Sequence, residues 1–157
     1  MQRMPMTPEG YKKLQDRLKQ LKQVERPANV RAIEEARGHG DLSENADYDA
    51  AKERQQHISR EMAEIEHRLS LAHVIDPATV THHKVVFGAT VTLKDIDSGD
   101  DVVYAIVGAG ESDIARGRIS VESPIARALI GKEEGDEVKV VTPKGAREFE
   151  IVTVEYK

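Results

Sequence analysis

The sequence predicts a mixed, multi-domain α+β fold, in which a long antiparallel α-helical hairpin precedes a small antiparallel β-sheet domain with one helix. Through the first half of the chain, apolar residues recur every three or four positions, which is typical of helices that pack along one face. Beyond about residue 80 they alternate with polar residues, which indicates strands. The patterns meet at an Asp-Pro dipeptide, which favours a chain break. We therefore assign the hairpin to residues 1–75, a linker to 76–83 and the sheet domain to 84–157.

Composition limits the classes of protein that this chain of 157 residues could belong to. Because 39% of its residues are hydrophobic and 32% are charged, we expect a modest core and no large enclosed catalytic cavity. The absence of cysteine excludes disulfides and thiolate metal sites. Neither a membrane-spanning run nor a signal peptide is visible, which predicts a soluble cytoplasmic protein. The net charge of -5 argues against a broad basic surface for nucleic acid.

The first arm of the hairpin is predicted to begin at Thr7 and Pro8, a hydroxyl cap followed by proline at the first helical position. Pro27 should kink or briefly interrupt this helix, because it lacks an amide hydrogen and its ring clashes with the preceding turn. The apolar stripe of the arm comprises Tyr11, Leu14, Leu18 and Leu21 before this proline, and Val30, Ile33 and Ala36 after it.

The second arm carries the most regular pattern of the chain, with spacings that alternate between three and four residues. Its members are Tyr48, Ala51, Gln55, Ile58, Met62, Ile65, Leu69 and Ala72. Two arms of about 30 residues, each residue rising roughly 1.5 Å, would be about 45 Å long. This pattern predicts a coiled-coil hairpin.

The sheet domain is predicted to contain strands near residues 85–93, 102–107 and 117–121, and a short helix that begins after Ser123 and Pro124. A last hairpin should join EVKVV to REFEIVTVEY. The apolar alternation also places both phenylalanines of the chain in the core, and these are Phe87 and Phe149.

Residues 38–49, GHGDLSENADYD, join the two arms and are rich in acid. Their carboxylates belong to Asp41, Glu44, Asp47 and Asp49. A purely structural interpretation is available, in which Gly38 or Gly40 ends the first helix in the left-handed conformation. Asp41 would then cap the second helix, and Glu44 would complete a capping box.

A second interpretation treats Asp41 and Glu44 as a functional pair at the far end of the hairpin. One cap needs fewer acids than this segment contains, and no basic residue lies between positions 40 and 51. An exposed pair of carboxylates binds Mg²⁺ weakly by itself, because that ion dehydrates reluctantly. The pair would become useful if the tip entered a cavity of another macromolecule and shared a metal with carboxylates there. The residues alone leave both interpretations open.

Essentially from end to end, the chain resembles the bacterial Gre transcript-cleavage factors, and the GreA type in particular. The matching stretches are MTPEGYKKL (6–14), ARGHGDLSENADYDAAKERQ (36–55), VIDP (74–77), VVFGATVTL (85–93) and ISVESPIARALIGKEEGDEV (119–138). The resemblance implies an FKBP-like sheet domain and a monomer that binds bacterial RNA polymerase. It also implies that the hairpin enters the secondary channel of that enzyme and stimulates its intrinsic cleavage of the 3′ end of backtracked nascent RNA.

The resemblance further assigns roles to residues. Asp41 and Glu44 match the catalytic tip pair, which holds Mg²⁺ jointly with polymerase, so the free protein would bind no cofactor stably and would not itself be an enzyme. Arg37 matches a basic position that contacts the RNA. Lys52 lies where the family often has Arg, and lysine keeps the charge but lacks the planar guanidinium.

In the family, the loop beside Ser123 and Pro124 lies on the face that docks against a coiled coil at the rim of the polymerase channel, and the resemblance implies that these two residues take part in docking. Three alternatives remain. The first is a Gre-like protein that occupies the channel and inhibits without cleavage, although such relatives have altered tips and DLSEN is of the cleavage type. The second is a coiled-coil adaptor without an active tip. The third is a prolyl isomerase, which would need an aromatic pocket built from Phe87, Tyr104, Phe149 and Tyr156.

Overall fold

The computed structural model of the chain describes residues 3–40, 45–80, 82–143 and 145–157. They form two compact units, of which one is Tyr11–Leu71 and the other combines Met1–Gly10 with Ala72–Lys157. The first residues of the chain therefore group with the sheet domain, although the sequence assigned them to the hairpin. No helix in the described part of the chain is long and apolar enough to cross a membrane.

The helical unit has two arms, as the sequence predicts. The first arm consists of helix α1 (Pro8–Gln20, which starts in the other unit), a π-helical segment (Leu21–Glu25) and helix α2 (Arg26–Arg37). The second arm is helix α3 (Ala46–Leu71), which packs against α2 and the π-helical segment. The helix thus ends before Ala72, the last member of the predicted stripe.

The predicted interruption at Pro27 is confirmed, and it takes the form of the π-helical segment. Pro27 lies in the first turn of α2. Just before it, the amide of Arg26 donates to the carbonyl of Leu21, five residues back instead of four. Proline offers no hydrogen to the carbonyl of Gln23, and its ring crowds that group. The wider π turn accommodates both effects.

The π-helical segment shifts the apolar stripe of the first arm by one residue. Continued past Leu21 at spacings of four and three, a regular heptad pattern would bury Ala28, Ala32 and Glu35. The buried residues are each one position later, namely Asn29, Ile33 and Ala36. The prediction for Val30 is wrong, since this side chain is 45% exposed.

Large apolar side chains fill the part of the hairpin away from the acidic segment, which we call the base half. Its buried cluster comprises Leu21, Ile58, Met62 and Ile65, with Leu14, Leu18 and Leu69 packed against it. Towards the acidic segment, in the tip half, the buried residues of the two arms are Asn29, Ile33, Ala36 and Ala51. All of the buried residues of α3 belong to its predicted stripe, and they are Ala51, Ile58, Met62 and Ile65.

The second unit contains two sheets. In the smaller one, strand β1 (Met4–Met6) pairs in parallel with strand β2 (Ala72–Val74), which brings both ends of the helical hairpin into this unit. The larger sheet has the strand order β5-β4-β3-β7-β6. Its strands are β3 (Ala89–Asp95), β4 (Asp101–Val107), β5 (Arg118–Ser120), β6 (Glu137–Thr142) and β7 (Gly145–Tyr156), and helix α4 (Pro124–Leu129) lies between β5 and β6 in the chain.

The five-stranded sheet is mixed, whereas the sequence predicted an antiparallel one. β3 pairs with β4 and β7, and β6 with β7, in the antiparallel sense, but β4 and β5 are parallel. Residues 108–117 include a 3-10 turn and carry the chain back to the start of β5, as a parallel pair requires. The core packs the sheet against α4, with Phe149 inside it. Phe87 is only half-buried, because β3 begins after it at Ala89.

Glu111 anchors the first turn of α1 within the sheet unit. One carboxylate oxygen accepts from the amides of Thr7 at 3.1 Å and Gly108 at 3.0 Å, and the other accepts from the Thr7 hydroxyl. Thr7 Oγ1 accepts in turn from the amide of Gly10 at 3.0 Å, which confirms the predicted cap. A Cβ at Gly10 would lie 2.0 Å from Glu111 Oε1, so a larger residue there would displace this carboxylate from its hydrogen-bond partners.

Candidate functional site

The candidate site is the acidic end of the helical hairpin. The predicted catalytic residues Asp41 and Glu44 lie outside the described residues. The site is therefore defined by its flanks, which are residues 36–40 at the end of α2 and residues 45–52 at the start of α3.

Asn45 is the N-cap of α3. Its Oδ1 accepts a hydrogen bond from the amide of Tyr48 at 3.1 Å, three residues on, and the helix begins at Ala46. The structural interpretation, in which Asp41 caps this helix and Glu44 completes a capping box, concerns residues outside those described, but α3 begins later than that motif requires. Neither acid is needed to cap the second arm.

The first arm ends in two glycines with different conformations. Gly38 closes α2 in the right-handed helical region, with φ of -67°. Gly40 has φ of +100°, so the positive φ predicted for one of the two falls on Gly40. Because no atom of the described residues lies within 4 Å of a Cβ built there, conformation rather than space favours glycine at this position.

Two asparagines form hydrogen bonds between the arms. Asn45 Nδ2 donates to the carbonyl of Ala36 at 2.6 Å, from α3 to α2. Asn29 Nδ2 donates in the opposite direction, to the carbonyl of Ala51 at 2.9 Å. Sequence reasoning singled out neither residue. An asparagine near an otherwise apolar stripe was the available signal, but the predicted stripe placed Val30 on the buried face where the structure has Asn29.

The predicted basic residues lie on opposite arms. Arg37 is exposed at the end of α2, and Lys52 is half-buried on α3, where its ammonium donates to Gln55 Oε1 at 2.9 Å. His39 Nδ1 lies 3.8 Å from a carboxylate oxygen of Asp47, in the first turn of α3. The tip flanks thus carry both signs of charge, and the RNA contacts of Arg37 and Lys52 stay a prediction.

An open groove of about 560 Å³ runs between α2 and α3 beside these hydrogen bonds. It is lined by Glu25, Ala28, Asn29, Ala32, Glu35, Ala36, His39, Asp47, Ala50, Ala51 and Arg54. Within residues 3–40, 45–80, 82–143 and 145–157, no group of three or more His, Asp or Glu side chains could hold a metal ion. A ligand set of that size at the tip would therefore have to include Asp41 or Glu44.

An ionic network joins the two arms in the base half. The guanidinium of Arg17 donates to both carboxylate oxygens of Glu61, at 2.7 and 2.9 Å, and also to Glu25, which accepts a further hydrogen bond from Arg54. The hydrogen bond from Arg17 holds the pKa of the Glu61 carboxyl below its usual range. The same bond raises the pKa of Arg17.

Ser123 and Pro124 form the N-terminus of α4. Ser123 Oγ accepts from the amide of Ala126 at 3.3 Å, so its hydroxyl serves as the helix cap. Pro124 is exposed at the first helical position. The predicted helix is confirmed, and the docking role of these two residues stays a prediction.

The aromatic residues of the sheet unit are engaged in its structure. Phe149 belongs to the core, and Tyr104 and Tyr156 pack against it. The Tyr156 hydroxyl also accepts from the amide of Val86 at 3.1 Å, while burial raises its pKa. A pocket of about 260 Å³ in this unit is lined by Thr7, Glu9, Pro77, Gly88, Thr90, Ala105, Ile106, Val107, Arg118 and Lys157. That lining contains no aromatic side chain of the kind that a prolyl isomerase would need.

Comparison with known proteins covers almost the whole chain. Residues 4–74 match a family model described as transcription elongation factor, N-terminal, and residues 80–156 match one described as transcription elongation factor, GreA/GreB, C-term. A Hyphomonas neptunium protein named transcription elongation factor GreA is 56% identical over 157 residues, and the match covers 100% of both chains. A protein of the same name from Alkalilimnicola ehrlichii is 57% identical, with 99% of each chain covered.

Among solved structures, GreA factor homolog 1 of Thermus thermophilus matches with 27% identity and a TM-score of 0.44, covering 98% of this chain and 99% of its own. A GreA/GreB elongation factor from Nitrosomonas europaea matches with 21% identity and a TM-score of 0.43, covering 98% of this chain and 100% of its own.

Proposed function

Because the chain belongs to the GreA/GreB family of transcription elongation factors, we propose that it binds bacterial RNA polymerase and stimulates cleavage of backtracked RNA. In this proposal the hairpin enters the secondary channel of the enzyme in the cytoplasm. Cleavage of the nascent 3′ end would allow arrested complexes to resume elongation. The observation that carries the proposal is the cap of α3: Asn45 caps this helix, so its cap does not require the carboxylates of Asp41 and Glu44.

The two carboxylates at the tip are ligands of a type that Mg²⁺ accepts, but they are too few to complete its coordination shell. Carboxylate oxygens are ligands that Mg²⁺ accepts, yet two carboxylates leave most of its octahedral shell to water or other groups. We therefore propose that Asp41 and Glu44 hold the ion jointly with polymerase and orient it towards the RNA. When bound, the metal would activate the attacking water and stabilise charge on the leaving oxygen.

The basic flanks have a separate role in the proposal. Arg37 and Lys52 would neutralise phosphates of the extruded RNA and help to hold its 3′ end beside the two acids. Since the reacting phosphodiester and the enclosing cavity both belong to the polymerase complex, the chain would act as a stimulating factor and not as a nuclease.

Docking is assigned to the N-terminus of α4. Pro124 is exposed there, whereas the hydroxyl of Ser123 is occupied by the cap. Aspartate caps helices about as well as serine, so Ser123→Asp should keep α4 folded while adding a charge to the docking surface. We expect this variant to bind polymerase more weakly, as measured by competition with the parent protein, without a change in its thermal unfolding.

A stalled, backtracked elongation complex with 5′-labelled RNA tests the proposal directly. Adding the chain and Mg²⁺ should shorten the labelled RNA, and free RNA should stay intact under the same conditions. Cutting of free RNA by a rigorously purified sample would contradict the assignment. Slower polymerase with no cleavage would instead favour the inhibitory alternative, and the absence of both effects would favour an adaptor.

A further inference from the structure

We propose that Asn29 and Asn45 are positioning residues, which fix the axial register of α2 against α3 and thereby set where the acidic segment is presented. The effect on cleavage rests on the proposed function. The register itself is a property of the free protein and can be measured without polymerase.

Apolar packing specifies the register weakly in the tip half of the hairpin. Large side chains lock two helices together because each one fits a hole between four residues of its neighbour. Apart from Ile33, the buried apolar residues of the tip half are Ala36 and Ala51, whose single methyl groups form shallow knobs. A slide by one residue would move the arms by about 1.5 Å, and the two alanines would lose little apolar contact.

Hydrogen bonds supply the specificity that the alanines lack. Asn29 is only 6% exposed, and its amide nitrogen reaches one carbonyl of the other arm, that of Ala51, at 2.9 Å. A slide of the arms would leave this buried amide without that partner, and unpaired buried polar groups are unfavourable. A single buried asparagine is known to select one register in coiled coils.

Asn45 adds a second bond of opposite direction and uses both ends of its amide. Oδ1 accepts from the amide of Tyr48, while Nδ2 donates to the carbonyl of Ala36. The partners dictate this orientation, since an amide N–H requires an acceptor and a carbonyl requires a donor. Residues 41–44 follow α2 and precede Asn45 in the chain, so this bond ties the two flanks of the acidic segment together.

The π-helical segment is what brings Asn29 onto the seam. Without its one-residue shift, the regular heptad pattern would place Ala28 there, and an alanine has no donor for the carbonyl of Ala51. The interruption beside Pro27 and the polar contact near the tip are thus parts of one arrangement. Since displacements of about 1 Å can lower reaction rates on the order of 10²-fold, this register would matter for catalysis.

Two substitutions test whether the asparagine hydrogen bonds set the register of the arms, because each removes one donor without an expected loss of stability. Asn45→Asp keeps an N-cap oxygen, because aspartate caps as well as asparagine, but it removes the donor to Ala36. Asn29→Leu keeps a buried side chain of similar size and removes the donor to Ala51. Replacing buried polar groups by apolar ones is often neutral or stabilising, so this variant should unfold at the same temperature as the parent or higher.

The first measurement uses the absence of cysteine in the chain. Spin labels on Glu34→Cys and Glu53→Cys, both at exposed positions on opposite arms, should give a narrow distance distribution in the otherwise unchanged protein. Asn29→Leu and Asn45→Asp should each broaden or displace it. A control pair at Lys22→Cys and Glu66→Cys, which face each other in the base half, should not change.

The second measurement is stimulated cleavage of a backtracked complex over a range of factor concentrations. Both variants should lower the maximal rate by on the order of 10-fold to 10²-fold. The concentration for half-maximal stimulation should stay the same, because the docking surface is untouched.

Unchanged distance distributions would overturn the register assignment, and broadened distributions with normal cleavage would overturn its link to activity. If the parent protein stimulates no cleavage, the proposed function fails, and the spin-label distances alone then support or overturn the register.

Discussion

The two halves of the helical hairpin differ in what holds them together. In the base half, Leu21 and Ile58 belong to a cluster of large buried side chains, each of which contributes about 1.5–3 kcal/mol on burial. In the tip half, the arms meet through Ile33, two alanines and two asparagine hydrogen bonds. Apolar packing therefore supplies most of the free energy of the hairpin at one end, while directional bonds supply geometry at the other.

The proposed function accounts for this division. In it the tip enters a narrow channel and presents carboxylates, so the tip can be neither wide nor apolar and offers little surface for a core. Stability for the whole hairpin then has to come from the base half. Substitutions in the two halves should therefore have different effects: those in the base should lower stability, and those in the tip should lower activity.

The largest effect is expected at the tip. Asp41→Asn and Glu44→Gln should each lower stimulated cleavage on the order of 10²–10³-fold, which corresponds to about 3–4 kcal/mol of transition-state stabilisation. The free energy of unfolding should change by at most a few tenths of a kcal/mol, since Asn45 provides the cap of α3. Cleavage assays beside thermal unfolding and competition binding measure this contrast. Normal cleavage by both variants would remove the functional role of the acids.

The base half should show the opposite behaviour. Leu21→Ala and Ile58→Ala should each cost about 2–5 kcal/mol of unfolding free energy, because both side chains are fully buried in the cluster. The matched control Val24→Ala, at a side chain that is 59% exposed, should change it by less than about 0.5 kcal/mol. Denaturant unfolding followed by the helical signal provides the values. Equal losses at all three positions would contradict the location of the core.

A smaller effect should show whether Pro27 or the packing of Ile33 maintains the π-helical segment. Pro27→Ala should change the unfolding free energy by less than about 1 kcal/mol, because packing of Ile33 holds the shifted register even when the amide is restored. Ile33→Ala should therefore lower the unfolding free energy by the same amount, about 2–4 kcal/mol, in the parent chain and in the Pro27→Ala background. If Ile33→Ala costs nothing in the Pro27→Ala background, proline alone imposes the shift.

The smallest effect concerns pH and the ionic network of the base half. The folded-state pKa of Glu61 is lowered by Arg17, so the pair stabilises the fold above the ordinary pKa of a glutamate. That contribution is lost as the pH falls through the lowered value. Both side chains are partly exposed, so the effect should be small. Glu61→Gln should lower stability slightly at neutral pH and leave it unchanged in strong acid, and an equal loss at both values would contradict the assignment.

Much of the architecture was predictable because it depends on neighbours in the sequence. The caps at Thr7 and Ser123 precede a proline, and this local arrangement predicts where a helix begins wherever it occurs. The alternating strands and the α3 stripe follow from side-chain periodicity. Pro27 likewise predicted an interruption of the helix, since the missing amide hydrogen is a property of proline itself.

The order and type of the elements could therefore be read from the sequence, and its resemblance assigns Asp41 and Glu44 to the tip. The π turn at the interruption, which makes Asn29 rather than Val30 face the other arm, became apparent only from the three-dimensional packing. The tertiary structure also showed that Asn45 caps α3 and bonds to the opposite arm. A periodic pattern states which face of a helix is buried, but the partner of a buried donor depends on how two distant segments are aligned.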